Sequence, residues 1–214
     1  MRVTLKLATS LDGKIATASG ESRWITGPEA REAVHRLRLT HMAVMVGVET
    51  AIADDPELTV RLPREPTPSQ PTRIVLDSRQ RLPLTSLLVQ GARRIPTIVL
   101  TTQPSNKLLT DAGVRVIEVA ARDGRVDPGA ALQALEQLNL PALMIEGGGQ
   151  VAASFLGEGL VDAVEWFRAP IMIGAEGRPA VAALGLNGLE SAPRFRRTSA
   201  QAVGEDLWER YERV

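Results

Sequence analysis

The stretch Leu143-Met-Ile-Glu-Gly-Gly-Gly-Gln-Val-Ala-Ala-Ser154 carries the clearest chemistry in the chain. An apolar run from Ala142 to Ile145 reads as a buried strand that ends on a carboxylate, Glu146. Gly147, Gly148 and Gly149 follow, and Val151-Ala-Ala-Ser-Phe-Leu156 reads as the start of a helix. Strand, glycine turn and helix N-terminus together bring bare backbone N–H groups against a phosphate. A nucleotide is therefore the expected ligand, although three glycines taken alone also describe a tight turn.

Composition narrows the chemistry. Lys plus Arg and Asp plus Glu each number 25, so no global charge favours nucleic acid or a membrane surface. The chain has no cysteine, which removes disulfides, thiol catalysis and cysteine-based zinc sites. His35 and His41 are its only histidines, so a histidine-rich metal centre is not expected. The opening Met1-Arg-Val-Thr-Leu-Lys-Leu-Ala8 lacks a signal-peptide apolar core and no run is long enough to span a bilayer, so the cytoplasm is the expected location.

The elements that must position these residues alternate. Val3, Leu5 and Leu7 alternate with Thr4, Lys6 and Ala8, which predicts a strand with one buried face. Thr26-Gly-Pro-Glu29 fits a capping box, with a helix over 27–40 behind it. Met42–Val46, Arg73–Leu76, Pro96–Leu100, Val114–Val119 and Val161–Phe167 read as strands. Helices are expected at 105–112 and behind the cap Asp127. The Pro-dense stretch 61–71 reads as a surface loop. Arg194–Val203 and Glu205–Arg213, split by Gly204, read as an antiparallel hairpin. The expected fold is α/β: one domain over 1–214, with a mixed, mostly parallel sheet and a C-terminal antiparallel hairpin.

Five segments now read together: Leu5–Ala16, Ser19–Thr26, Val46–Arg61, Ile74–Ser78 and Glu146–Gly149. In this order and spacing they resemble the pyrimidine reductase domain of bacterial riboflavin biosynthesis. The resemblance implies a dihydrofolate reductase-like three-layer α/β/α sandwich. It implies NADPH-dependent reduction of 5-amino-6-(5-phosphoribosylamino)uracil to the ribitylamino product, by direct hydride transfer to the ribose C1, in a homodimer. Many members carry a zinc deaminase in front. This sequence, with no Cys and no H-x-E, cannot hold that zinc, so it reads as a stand-alone reductase or a fragment of a longer protein.

The resemblance also distributes roles. Lys6 falls at the pyrimidine near the reacting carbon, where a lysine can polarise or protonate an imine-like group. A strand lysine is otherwise most often exposed. Glu146 meets the substrate as a catalytic or binding group, accepting hydrogen bonds from the pyrimidine amino groups or orienting a proton donor. Ser22 is placed on the substrate, with Thr26 as an additional contact that helix capping would also explain. Arg38 and Arg61 are the candidates for the 5′-phosphate, since guanidinium offers a planar fork to phosphate oxygens. Leu58 adds an apolar contact. On the cofactor side stand Ala8 at the nicotinamide and Trp24 against a ring. Thr50 and Asp54, four apart on one helical face, are ribose or amide partners. Ser78 is placed at the adenosine 2′-phosphate, and Gly147, Gly148, Gly149, Gln150, Val151, Ala152, Ala153 and Ser154 at the diphosphate.

Asp12-Gly13 favours a turn by itself. His35 and His41 read as surface or helix-end residues. One departure stands out: Arg168 occupies a position where the family commonly has an aromatic. A reductase of the same fold acting on a pterin or folate-like ring, or a nucleotide-binding sensor without catalysis, are the alternatives.

Overall fold

The computed structural model describes residues 1–62 and 69–214. In chain order its elements begin with β1 (Arg2–Thr9), β2 (Lys14–Ala16), α1 (Pro28–Leu39), β3 (Ala43–Gly47), α2 (Val48–Asp54) and β4 (Thr72–Leu76). They continue with α3 (Leu87–Gln90), β5 (Thr97–Thr101), α4 (Lys107–Asp111), β6 (Arg115–Glu118), β7 (Ala121–Arg122), β8 (Arg125–Val126) and α5 (Pro128–Glu136). The last are β9 (Ala142–Gly147), α6 (Gly149–Gly157), β10 (Ala163–Arg168), β11 (Arg178–Pro179), β12 (Phe195–Val203) and β13 (Asp206–Arg213). Most of the Pro-dense loop expected at 61–71 lies outside the described residues. The chain divides into two compact units, Met1–Arg2 with His35–Ile145 and Val3–Val34 with Glu146–Val214.

In the first unit, β3, β4, β5 and β6 run parallel, with Met45 opposite Ile74, Val75 opposite Val99 and Leu100 opposite Ile117. β3 and β5 are buried at every position, which is why their sequences read as continuous apolar runs rather than alternations. Helices follow the strands with explicit start signals. Asn106 accepts from Leu108 N, and Asp127 accepts from Ala130 N at 2.8 Å, the cap expected there.

One strand residue breaks the apolar pattern. Arg73 of β4 is almost fully buried, and its Nη2 donates to Leu88 O (3.1 Å), Ile95 O (2.9 Å) and Thr97 Oγ1 (2.6 Å). Burial, helped by the nearby Arg94 charge, lowers its pKa to about 10, so the guanidinium stays cationic at neutral pH.

In the second unit, β1 runs parallel to β10, placing Lys6 opposite Glu165 and Ala8 opposite Phe167. β10 pairs antiparallel with β13, and β13 with β12. The Phe167 and Trp208 rings stack at 5.0 Å between centroids. The terminal hairpin turns at Gly204, whose φ of 62° favours glycine, and β12 and β13 lie where the sequence placed them. The short pairing of β2 with β11 carries no sequence signal of that kind.

Two expectations need correction. β1 does not have one buried face: Thr4 is buried along with Val3, Leu5 and Leu7. Helix α1 begins at Pro28, so Gly27 rather than Thr26 holds the capping position, and the Gly27 N–H donates to Asp206 Oδ2 at 2.7 Å. A carboxylate from the far end of the chain therefore satisfies the helix entry that Thr26 was expected to serve.

Candidate active site

Lys6 and Glu146 come together in the second unit. Lys6 Nζ lies 3.7 Å from Glu146 Oε2, with side chains 12 % and 5 % exposed. A strand lysine with no task would stand in water, and this one is drawn in beside a buried carboxylate. The separation is slightly longer than a hydrogen bond, so the two form an ion pair in a low-dielectric setting. Glu146 holds its position because β9 carries it to the strand end, directly before the glycine turn.

Gly148 turns the chain with φ 91° and ψ 106°, a conformation closed to residues with a Cβ. Helix α6 then starts at Gly149, and Gly148 in the capping position offers its first turn no side-chain acceptor. This narrows the expected phosphate contacts. Ala152 N–H already donates to Gly148 O at 2.9 Å, and the Ala152 and Ala153 side chains are buried. Ser154 Oγ donates to Val151 O. The contribution of Ala152, Ala153 and Ser154 is thus to pack and extend the helix. Helix geometry leaves the backbone N–H groups of Gly148, Gly149 and Val151 outside the intrahelical ladder.

Gly149 has a further duty. A Cβ there would stand 2.9 Å from Pro179 O, and Gly149 O accepts from Ala182 N at 2.9 Å.

Ser22, Trp24 and Thr26 lie on the segment leading into α1. Core burial would have been the ordinary explanation of Trp24, but it is 70 % exposed. The Arg31 guanidinium carbon sits 4.4 Å from its ring centroid. An exposed indole stiffened by a stacked arginine is suited to receiving a second flat ring. Ala8 is half-buried on β1.

The loop after β1 is tightly fixed. The Asp12 carboxylate accepts from Ser10 Oγ (2.6 Å), Ile173 N (3.1 Å) and Gly174 N (2.7 Å). These bonds, the Ser10 hydroxyl foremost, lower its pKa to about 2. A turn preference alone did not foretell this role.

Arg168 has a local partner. Its Nη2 stands 2.7 Å from Oε2 of Glu209, which is buried on β13 and also accepts from Tyr211 Oη at 3.0 Å. The departure from an aromatic is thus matched by a buried carboxylate, which Arg197 Nη1 also approaches at 3.5 Å.

In the first unit, the two arginines expected at a phosphate converge on Thr59. Arg38 Nη1 donates to Thr59 O at 2.7 Å, and Arg61 Nη1 donates to Thr59 Oγ1 at 2.8 Å. Arg61 also pairs with Glu57 at 2.6 Å, four residues earlier, with both side chains about half exposed. Such an exposed pair off a helix is worth only about 0.2–1 kcal/mol, so Arg61 is held to Glu57 weakly.

His35 belongs to the same cluster, and its reading as a plain surface residue is corrected. Its Nδ1 lies 3.0 Å from Thr59 O and 3.2 Å from Arg61 N. The three-residue spacing of His35 and Arg38 on one helix face was the available signal. His41, as expected, closes the helix end on Leu37 O.

Leu58 is only 3 % exposed, so its side chain belongs to the core and the apolar substrate contact expected of it is not available. Thr50 is half-buried on α2 and Asp54 is exposed at its end. Ser78 follows β4. Its Oγ accepts from Val126 N at 2.9 Å, which leaves the hydroxyl proton to donate elsewhere. Among the described residues, no group of three or more His, Asp or Glu side chains could hold a metal ion, and no helix is long and apolar enough to cross a membrane.

A mostly parallel α/β fold with a terminal antiparallel hairpin and a glycine turn opening a helix is the dihydrofolate reductase-like fold. The chain belongs to the RibD C-terminal domain family, whose model matches residues 1–208. The riboflavin biosynthesis protein RibD of Aquifex aeolicus is 41 % identical over 207 residues, covering 96 % of this chain and 56 % of that protein.

A 2,5-diamino-6-ribosylamino-4(3H)-pyrimidinone 5′-phosphate reductase of Methanothermobacter thermautotrophicus is 35 % identical over 207 residues and is covered over 94 % of its length. The structure of Acinetobacter baumannii RibD superposes over the whole chain with a TM-score of 0.86 at 33 % identity, covering 58 % of that protein. The chain spans about half the length of the RibD proteins it matches.

Proposed function

We propose that the chain catalyses the NADPH-dependent reduction of 5-amino-6-(5-phosphoribosylamino)uracil to 5-amino-6-(5-phosphoribitylamino)uracil. The carrying observation is the Lys6–Glu146 pair: two oppositely charged side chains held at 3.7 Å and almost withdrawn from water. A binding module has no use for such a pair, and placing it costs desolvation. A reaction that adds a hydride at the ribose C1, in its ring-opened imine-like form, does need a proton at the neighbouring nitrogen.

Lys6 Nζ is the donor of that proton or polarises the group that receives it. Glu146 pairs with that ammonium and accepts hydrogen bonds from the pyrimidine amino groups. Arg38 and Arg61 anchor the 5′-phosphate, and Ser22 orients the substrate. Thr26 adds a polar contact to the substrate.

The residues present fit a dinucleotide. Gly147 and Gly148 give close approach, and the uncapped first turn of α6 gives donors for a diphosphate. Trp24 and Ala8 border the nicotinamide, Thr50 and Asp54 take ribose or amide groups, and the Ser78 hydroxyl donates to the 2′-phosphate. When bound, the reduced nicotinamide supplies the hydride. The protein supplies orientation and the excluded-water setting. On this reading the enzyme is a cytoplasmic homodimer with no metal and no nucleic-acid or membrane partner.

The archaeal relative's name favours one further reading, in which the substrate still carries its 2-amino group. The experiment that tests the proposal is steady-state NADPH turnover with both pyrimidines, each with and without the 5′-phosphate, and with a dihydropterin. Reduction of either phosphorylated compound, with strong preference over the dephosphorylated one, supports it. Turnover only of a dihydropterin, or NADPH binding with no turnover of any substrate, gives way to the pterin reductase or the sensor.

A further inference from the structure

The segment following β10 is not an idle loop. Its far end lies against the start of α6: Ala182 N donates to Gly149 O at 2.9 Å, and Pro179 O stands where a Cβ on Gly149 would be only 2.9 Å away. Its near end is clasped by the loop after β1. Leu11 N donates to Ile171 O at 2.8 Å, and Asp12 takes the N–H groups of Ile173 and Gly174. The same loop returns a bond from the other side, with Ala180 N donating to Gly13 O at 3.0 Å. The pairing of β2 with β11 completes the connection.

A single carboxylate thus sits at the centre of a frame. The frame runs from the end of the Lys6 strand, through Ser10–Gly13, along 171–182, to the helix start at Gly149. Two charge-assisted bonds from consecutive backbone N–H groups are a specific grip on one short stretch of chain, stronger than neutral contacts of the same number. The Ser10 hydroxyl, donating to Asp12 at 2.6 Å, orients the carboxylate for it.

We infer that Asp12 is a positioning residue for the cofactor diphosphate: it fixes segment 171–182, and that segment fixes Gly148–Gly149 and the first turn of α6. This rests on the reading of the glycine turn as the diphosphate site. Asp12 itself touches no ligand. It acts through the backbone contact between Pro179–Ala182 and Gly149, and so governs affinity for the dinucleotide rather than the proton-transfer chemistry of Lys6. An amide at position 12 does not substitute, because its NH2 group would face one of the N–H groups that the carboxylate now accepts.

The test is the affinity of the full chain for NADPH, by fluorescence titration and as KM, in Asp12→Ala, Asp12→Asn, Gly149→Ala and the double variant Asp12→Ala/Gly149→Ala. Wild-type protein is titrated first: if it binds no NADPH, the functional reading fails and the inference with it. Given wild-type binding, each Asp12 variant is expected to raise Kd and KM for NADPH about tenfold, while kcat changes less than about threefold and the pyrimidine KM is unchanged.

The double variant is expected to lose less than the product of the two single losses, because both disturb one contact. A Kd for NADPH within about twofold of wild type in folded Asp12→Ala overturns the inference even if its Tm falls, since a purely structural clasp would do only that. Fully multiplicative losses in the double variant overturn it as well. Should Asp12→Ala not fold, Ser10→Ala keeps the carboxylate and removes its orienting donor. A Kd raised in the same direction supports the inference, and an unchanged Kd overturns it.

Discussion

Replacing Lys6 with methionine separates the charge of the pair from its volume. At about 4 Å and an effective dielectric near 20, two unit charges attract by about 4 kcal/mol, and breaking a buried pair by removing one partner typically costs about 3–5 kcal/mol. The Lys6–Glu146 contact is at 3.7 Å, and Lys6 keeps some contact with solvent. The expected loss on Lys6→Met is therefore at the low end, about 3 kcal/mol. Glu146→Gln removes the other charge and is expected to cost a similar amount.

The double variant Lys6→Met/Glu146→Gln leaves no buried charge at either position, so about 1–2 kcal/mol of the summed loss should return. Activity should not follow stability. General acid–base assistance is worth about 10²–10⁴-fold in rate, and the double variant lacks it as fully as the single one. The assay is urea unfolding of the three variants beside kcat at saturating NADPH and pyrimidine. If Lys6→Met keeps kcat within about threefold of wild type, or if the double variant regains activity together with stability, the catalytic assignment of the pair is refuted.

Arg38→Ala and Arg61→Ala are each expected to raise the KM of the phosphorylated pyrimidine about tenfold or more and to leave that of its dephosphorylated form unchanged; equal effects on both would remove the arginines from the phosphate. Ser78→Ala should narrow the preference for NADPH over NADH about tenfold, measured as a ratio of kcat/KM values, and an unchanged ratio would place the 2′-phosphate elsewhere. The Asp12 carboxyl titrates near 2 in the folded chain against an ordinary 3.8. Its stabilisation is thus present above about pH 4 and is lost as pH falls toward about 2, so the stability gap between wild type and Asp12→Asn should be constant from neutral to about pH 4 and close below it. A gap that widens on acidification would contradict that sign.

Local signals were readable where one short stretch decides the outcome. Asp127 before Pro128 caps α5, Gly204 turns the terminal hairpin, and the uninterrupted Ala43–Val46 run makes a strand buried on both sides. Long-range pairing was not readable. Nothing near Thr26 shows that Asp206 will take the Gly27 N–H, and nothing near Arg73 shows that Leu88, Ile95 and Thr97 will collect around a buried guanidinium.

The site divides the same way. The glycine turn and the two arginines were candidates by residue type and spacing, and the structure brings both arginines to Thr59. The meeting of Lys6 with Glu146 depends on strand placement, and β1 alone predicts an exposed lysine. His35 was missed because its partners, Thr59 and Arg61, lie on a loop whose course the sequence does not define. The expected phosphate contacts extended as far as Ala152, whose N–H the helix itself already uses on Gly148 O.

The most direct measurement is isotopic. The purified chain is supplied with phosphoribosylamino pyrimidine and NADPH deuterated at the transferable nicotinamide position, and the product is examined by mass and by NMR. One deuterium at C1 of the ribityl chain, in step with NADP+ formed, is the predicted result. Product without deuterium at C1, or no consumption of NADPH by well-folded protein, would contradict the account.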